Sequence, residues 1–236
     1  MIEVKGLNKS FKKSVALHDI HASFHKGQVV SLIGPNGSGK TTLIKCILGL
    51  VKPDSGDILL DGNSILHNDQ YRSRIGYMPQ IGRFPDHMKV GQIFKLLKDV
   101  RKNSSALDEE LIQTYGLNSI SEKSMRTLSG GTRQKVSAAI AFLFDPEILI
   151  LDEPTAGLDP LASEILKEKI QNEKNKNKLI LITSHILSDF DELTTHVLYL
   201  QEGNIEFNGD MGSLKTMTGE EKFGKAIAGL MKAKGN

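Results

Sequence analysis

The sequence predicts an α/β protein, in which a sheet-based body is interrupted by a mostly helical insert and then resumes. Three observations carry this. The apolar run "QVVSLIG" (28–34) feeds straight into the glycine-rich "GPNGSGKTT" (34–42), and "TTLIKCILGL" (41–50) then has helical periodicity. The run "EILILD" (147–152) is short and continuously apolar, as a central parallel strand buried on both faces requires. Between them, the pattern from "VGQIFKLLKDVR" (90–101) to "SAAIAFLF" (137–144) is helical.

Each element has its own signal. "MIEVKGL" (1–7) and "LHDIHASF" (17–24) read as strands. "KPDSGDILLDG" (52–62) is a turn, a strand and a turn, and "RIGYMPQ" (74–80) is another strand. Gly116 stops a helix over "LDEELIQTY" (107–115), and Asp145-Pro146 ends the last helix of the insert. "LASEILKEKIQ" (161–171) is an amphipathic helix, after which "KLILITS" (178–184) and "HVLYLQ" (196–201) return to strands. The expected organisation is one domain over 1–236: an α/β core from 1–80 and 146–210, a helical insert at 81–145, and a helical tail at 211–236.

Composition narrows the function. With 30 basic and 28 acidic residues the formal net charge is +2, so no strong positive field is implied and nucleic acid is not expected as a partner. The one cysteine, Cys46, excludes a disulfide framework, fits a reducing compartment, and reads as a small core residue. "MIEVKGLNKSF" lacks the apolar core of a signal peptide. Runs such as "AAIAFLF" are too short to cross a bilayer, so any membrane work needs another chain to do the spanning.

The stretch Gly34, Pro35, Asn36, Gly37, Ser38, Gly39, Lys40, Thr41 fits G-x-x-x-x-G-K-[ST] at every position, and Thr42 extends it into the helix. Glycines let backbone N–H groups turn inward around phosphate oxygens, and the helix start adds positive potential. Lys40 can reach β- and γ-phosphates, and the Thr41 hydroxyl can hold Mg²⁺. A ligand-free strand–helix turn is the alternative for glycines alone. Further on, Asp152 ends a buried strand beside Glu153. Asp152 suits a magnesium aspartate and Glu153 a base for the attacking water, although a solvated turn before Pro154 would also place two acids there. A second anion-shaped device stands in "LSGGTRQK" (128–135): Ser129 can cap the following helix, and Gly130 and Gly131 leave backbone bare.

Together "GPNGSGKT", "LSGGT", "ILILDEPTAGLD" and "ITSH" resemble the ATP-binding-cassette (ABC) ATPases, in the family's motif order and over nearly the whole chain. The resemblance implies a P-loop NTPase (RecA-like) core with an N-terminal antiparallel β subdomain, ATP and Mg²⁺ as ligands, and ATP hydrolysis coupled to transport. It implies that Ser129, Gly130 and Gly131 are the signature motif, and that Gln80 is the Q-loop glutamine near Mg²⁺ and the attacking water. His185 matches the switch histidine at the γ-phosphate, and Gly157, Leu158 and Asp159 match the D-loop. Phe11 falls where the family carries an aromatic that stacks on adenine. Thr132 stands where the family usually has Gln.

The resemblance also answers why one chain has two phosphate-shaped devices. In the family two cassettes pack head to tail, and each signature closes on the ATP held by the other's phosphate loop, so a homodimer and separate transmembrane permease subunits are the implied partners. The implied place is the cytoplasmic face of the cell membrane. "IGRFPDHM" (81–88), with Phe84 and Pro85 expected to be exposed, is a docking surface for a permease helix or an ordinary connecting loop. The tail spaces Phe223, Ile227, Leu230 and Met231 at helical intervals, either to meet the permease or lipid or to pack on its own domain. The stretch at 75–93 resembles the cassette of nitrous-oxide-reductase maturation, a copper-site assembly system. The alternatives are a soluble ABC ATPase of assembly or maintenance type, and a P-loop NTPase or regulatory module of another kind.

Overall fold

Val29–Ile33 is buried at every position, and so are Leu179–Thr183 and Ile148–Asp152. Strands without a polar face must be covered on both sides, which favours parallel pairing. The structure, a computed structural model, describes residues 1–12, 14–66, 68–101, 107–184 and 190–233, with the backbone alone at 231–233. Packing divides the chain into two compact units, Met1–Arg72 with Lys174–Asn236, and Ser73–Glu173.

The chain begins with β1 (Ile2–Phe11), β2 (Ser14–Phe24), β3 (Val29–Ile33), α1 (Lys40–Ile47), β4 (Ser55–Leu60) and β5 (Asn63–Ser64). It continues with β6 (Ile75–Met78), α2 (Val90–Val100), α3 (Glu110–Thr114), α4 (Gly130–Phe142), β7 (Ile148–Asp152) and α5 (Pro160–Asn175). It closes with β8 (Leu179–Thr183), β9 (His196–Gln201), β10 (Asn204–Asp210), α6 (Met211–Thr218) and α7 (Phe223–Ala233).

In the first unit β2, β1, β4 and β5 form an antiparallel sheet in that order. β3 lies parallel between β8 and β9, and β10 pairs antiparallel with β9. The β1–β2 hairpin is longer than its apolar runs indicate and reaches the pair Phe11↔Ser14. β10 follows a two-residue turn, Glu202 and Gly203, both with positive φ (49° and 80°), the conformation that matches strand twist in a tight hairpin. The tail packs on its own unit: Phe223, Ala226, Ile227 and Leu230 are buried with Ile33, Val197, Tyr199 and Leu214. Its apolar stripe is therefore spent on the core beneath the last residue of β3.

In the second unit β6 and β7 pair in parallel, with Met78 opposite Leu151. The buried Lys169 of α5 holds Asp108, Glu110 and Glu173. Burial pulls its ammonium pKa down, but the three carboxylates outweigh that and raise it. The packing units change over at Arg72/Ser73 and Glu173/Lys174. The reason is that β6, β7 and most of α5 pack with the helices of the insert.

Candidate functional site

The phosphate loop starts where β3 ends and stops where α1 begins. Gly39 caps α1 with φ 108° and no side-chain hydrogen bond, and the first turn of α1 has no acid. The amides of Thr41 and Thr42 have no carbonyl one turn back, so they face the loop's mouth as donors. Lys40 Nζ donates to the carbonyls of Gly34 (2.6 Å) and Pro35 (3.0 Å), which places a cation among those amides. The loop is braced from outside: the Gly203 amide donates to the Ser38 carbonyl (3.1 Å), and the His18 amide to the Gly203 carbonyl (2.8 Å). A Cβ on Gly39 would sit 2.5 Å from the Ala16 carbonyl oxygen, so β2 approaches to a distance only glycine permits.

That approach locates Phe11. Ala16 and Leu17 lie against Gly39, and Phe11 pairs with Ser14 two residues earlier on the same strand. Phe11 is 49% exposed, with Lys9 Nζ 5.4 Å from its ring centroid. Asp54 fixes this end of β1 by accepting from Lys9 Nζ and from the Ser10 amide, each at 2.7 Å. An aromatic half in solvent at the tip of a hairpin that abuts the phosphate loop is a platform for a planar group. Cys46, on the buried face of α1, has its thiol pushed up to about 11 by burial, which fits a core residue and not a nucleophile.

In the second unit Asp152 is the last residue of β7 and is buried, and Glu153 follows with φ 50°. A left-handed conformation is costly for glutamate and redirects its side chain out of the strand. Because Met78 pairs with Leu151, Gln80 leaves the end of β6 in step with Glu153 at the end of β7. Three oxygen-bearing residues thus emerge from the carboxyl ends of neighbouring parallel strands, where α/β sheets place their ligands. Burial, with the Asp152 charge second, pushes the Tyr77 phenol up to about 12. The described residues hold no cluster of three or more His, Cys, Asp or Glu suited to a metal. One carboxylate with neutral oxygens and substrate phosphates is what Mg²⁺ accepts, so the donor set fits it.

α4 begins at the signature stretch. Ser129 is its N-cap and accepts from the Thr132 amide (3.2 Å), and no acid lies in the first turn. The amides of Gly130 and Gly131 have no carbonyl one turn back. Gly130 faces open space, whereas a Cβ on Gly131 would sit 2.6 Å from the Gly157 carbonyl oxygen. Lys135 Nζ donates to Asp159 Oδ2 (2.7 Å), and the Ala162 amide to Asp159 Oδ1 (2.9 Å). Lys135 first, and that amide second, hold the Asp159 carboxyl below the usual carboxylate range. Asp159, matched to the D-loop, caps α5 and ties that loop to the signature helix. Lys135 carries no sequence signal for this; it sits beyond the motif and matters only through the fold.

Within its unit the structure brings Ala16 and Leu17, on the strand whose Ser14 pairs with Phe11, against Gly39 of the phosphate loop, and in the other unit it brings Gln80 to Asp152 and Glu153, and Gly131 to Gly157. His185 lies outside the described residues. Of the two loop residues expected to be exposed, Pro85 is exposed and Phe84 is half-buried, its ring edge 2.9 Å from where a Gly82 Cβ would stand; Ile81 is a further exposed apolar residue, at 67%.

Comparison with known proteins gives this geometry its family. The "ABC transporter" family profile matches residues 17–156. The lantibiotic transport ATP-binding protein SrtF of Streptococcus pyogenes is 33% identical, covering 96% of this chain and 97% of its own. The ABC transporter ATP-binding protein NatA of Bacillus subtilis is 33% identical over 91% of both chains. The lipopolysaccharide export ATP-binding protein LptB of Haemophilus influenzae is 30% identical over 89% of this chain and 90% of its own. The solved ATP-binding subunit of an ABC transporter superposes with a TM-score of 0.90 at 27% identity, covering 98% and 99% of the two chains. A dimeric ATP-binding cassette bound to ADP and Pi shares the fold, with a TM-score of 0.78 at 23% identity over 89% and 99%. With a strand-fed phosphate loop, a buried strand ending in Asp-Glu and a serine-capped glycine helix all in place, the chain belongs to the ABC transporter family as an ATP-hydrolysing nucleotide-binding domain.

Proposed function

We propose that this chain powers an exporter whose membrane-spanning part is a separate permease, and that it works as a head-to-tail pair with a second copy of itself. The observation that carries the reading is the exposed start of α4. Ser129 and Gly130 face solvent, while the chain's own phosphate loop is already a complete anion site. A half-site of amides and one hydroxyl gains a ligand when another copy brings its ATP against it. A solved cassette with the same fold is dimeric and bound to ADP and Pi.

In this reading Lys40 and the amides of Thr41 and Thr42 hold the β- and γ-phosphates, and Phe11 stacks on the base. The family's motifs assign Mg²⁺ to Thr41, Asp152 and Gln80, and the ion would supply neutralisation of the phosphate charge. Glu153 takes a proton from the attacking water, and His185 is assigned the γ-phosphate contact by its motif. Ser129, Gly130 and Gly131 close on the partner's ATP. Hydrolysis removes the group both surfaces share, so ATP favours the closed pair and its products do not.

The loop after Gln80 is the proposed permease contact, with Ile81 as its apolar point. The Met125 amide donates to the Met88 carbonyl (2.9 Å) and the Arg126 amide to the Asp86 carbonyl (3.1 Å), which links this loop by backbone to the approach to Ser129. Export as the direction follows the names of LptB and of the Nod factor export ATP-binding protein I of Cupriavidus pinatubonensis. The copper-site assembly reading rests on the 75–93 stretch alone. Among the described residues no helix is long and apolar enough to cross a membrane, so attachment to the cytoplasmic face would come through the permease. Co-purification with a membrane protein separates this reading from a soluble assembly ATPase.

The decisive experiment mixes two damaged chains, Lys40→Ala and Ser129→Arg. Each homodimer has two broken sites. A mixed pair segregates the damage, so one site is intact. Mixing restores ATP-dependent dimer and part of the turnover if each ATP is shared. If mixing restores neither while a wild-type control assembled on the permease is active, the shared site is wrong.

A further inference from the structure

Thr132 touches the other side chain of the signature that can donate, Ser129. In the first turn of α4 the Thr132 amide donates to Ser129 Oγ (3.2 Å), and the two hydroxyl oxygens are 2.9 Å apart. A serine hydroxyl has one hydrogen and two acceptor positions. The amide fills one acceptor position. The hydroxyl pair then has two arrangements. Either Ser129 gives its proton to Thr132 Oγ1, or Thr132 gives its proton to Ser129 Oγ. In the second, both acceptor positions of Ser129 are filled, and its single hydrogen points away from the helix. An anion arriving at the exposed, acid-free first turn supplies the missing acceptor and selects that arrangement.

We propose that Thr132 is a positioning residue that sets Ser129 as a donor to the γ-phosphate of an ATP held by a second copy of this chain. The proposal rests on the shared-site reading above and assigns a role to a position that reading leaves unused. A lone serine hydroxyl rotates freely and must be fixed when phosphate arrives. A hydroxyl whose lone pairs are already occupied needs no such reorganisation, which is the condition under which a donor contributes most. Valine at 132 keeps the shape and the capping amide and removes only the second hydroxyl. Serine at 132 keeps the hydroxyl.

The test uses the full chain carrying Glu153→Gln, so that Mg·ATP accumulates the dimer, and measures dimer by sedimentation against ATP concentration. Steady-state ATP turnover against protein concentration, in chains with Glu153 intact, is the second readout. For Thr132→Val the ATP needed for half-maximal dimer should rise about two- to tenfold, the range of one hydrogen bond. Thr132→Ser should stay within about twofold of the parent, the usual scatter between independent sites. On a Ser129→Ala background, Thr132→Val should add nothing, because its effect passes through the serine. A Thr132→Val chain that dimerises like the parent, or that loses as much again without Ser129, overturns the proposal. So does a Thr132→Val loss matched by a fall in melting temperature or in monomer ATP affinity, which would place the effect in folding. If Ser129→Ala leaves both readouts unchanged, the shared-site reading itself falls. If Ser129→Ala weakens the dimer and Thr132→Val does not, only the role of Thr132 falls.

Discussion

α1 and α4 both begin at glycines with no acid in the first turn, yet their mouths are chemically unlike. At α1 no side chain caps the helix, and Lys40 lies among the loop carbonyls. At α4 Ser129 satisfies one amide, and the nearby cations are turned back: Arg133 donates to the Leu128 carbonyl and Lys135 to Asp159. One helix start combines a full charge with open amides. The other offers a helix dipole of about half a charge and one hydroxyl. The first can hold a polyphosphate alone. The second can only register that one is present, which is what a surface facing another subunit's ligand has to do.

The comparison breaks most visibly at Lys40. Lys40→Ala should lower the ATP affinity of the monomer about 10- to 150-fold, the worth of a charge-assisted hydrogen bond. Ser129→Ala should leave that monomer affinity unchanged. Nucleotide titration at protein concentrations too low for dimer checks both, and equal losses would erase the distinction between the two helix starts.

A middle-sized effect is expected at Gly131. An added methyl meets the Gly157 carbonyl oxygen at 2.6 Å, and overpacking of this kind costs about 1–3 kcal/mol. Gly131→Ala should lower the melting temperature and weaken ATP-dependent dimer, while monomer ATP affinity holds. Reduced monomer affinity in this variant would show that the α4 start serves its own chain's nucleotide.

The smallest effect is at Phe11. Phe11→Ala should cost about 2- to 12-fold in ATP affinity, the range of one aromatic stacking contact. Pyrophosphate binding should be unchanged, since it has no base. Equal losses for both ligands would mean that Phe11 shapes the phosphate loop instead.

The parts of the site legible in sequence are those whose chemistry is local. Gly39 and Lys40 announce themselves because strand, loop and helix start follow one another directly, and Ser129 because a cap acts within its own turn. β7 is legible because five buried residues in a row need cover on both faces. What escaped depends on which groups the fold sets against one another, whether near or far in sequence. Asp159 looks like an available carboxylate until Lys135, 24 residues away, is found against it. Phe84 looks exposed because it sits in a loop, and it is half-buried, its ring edge in the space a side chain at Gly82 would need. β10 has only Glu202-Gly203 to announce it, a weak turn pair that β-propensity alone does not bring out. The stripe of α7 was clear, but nothing local says which surface it covers.

The neighbours of β3 also fix an order of events during synthesis. Val29 pairs with Ile180 and Val30 with His196, so the strand that carries the phosphate loop waits for partners made long after it. The hairpin of β1 and β2 can close at once. At ribosomal speeds β3 stays unpaired for on the order of ten seconds, an apolar segment exposed on the nascent chain. The most recognisable motif of the molecule is therefore among the last parts to take shape, and in that interval there is no formed site through which its ligand could steady it.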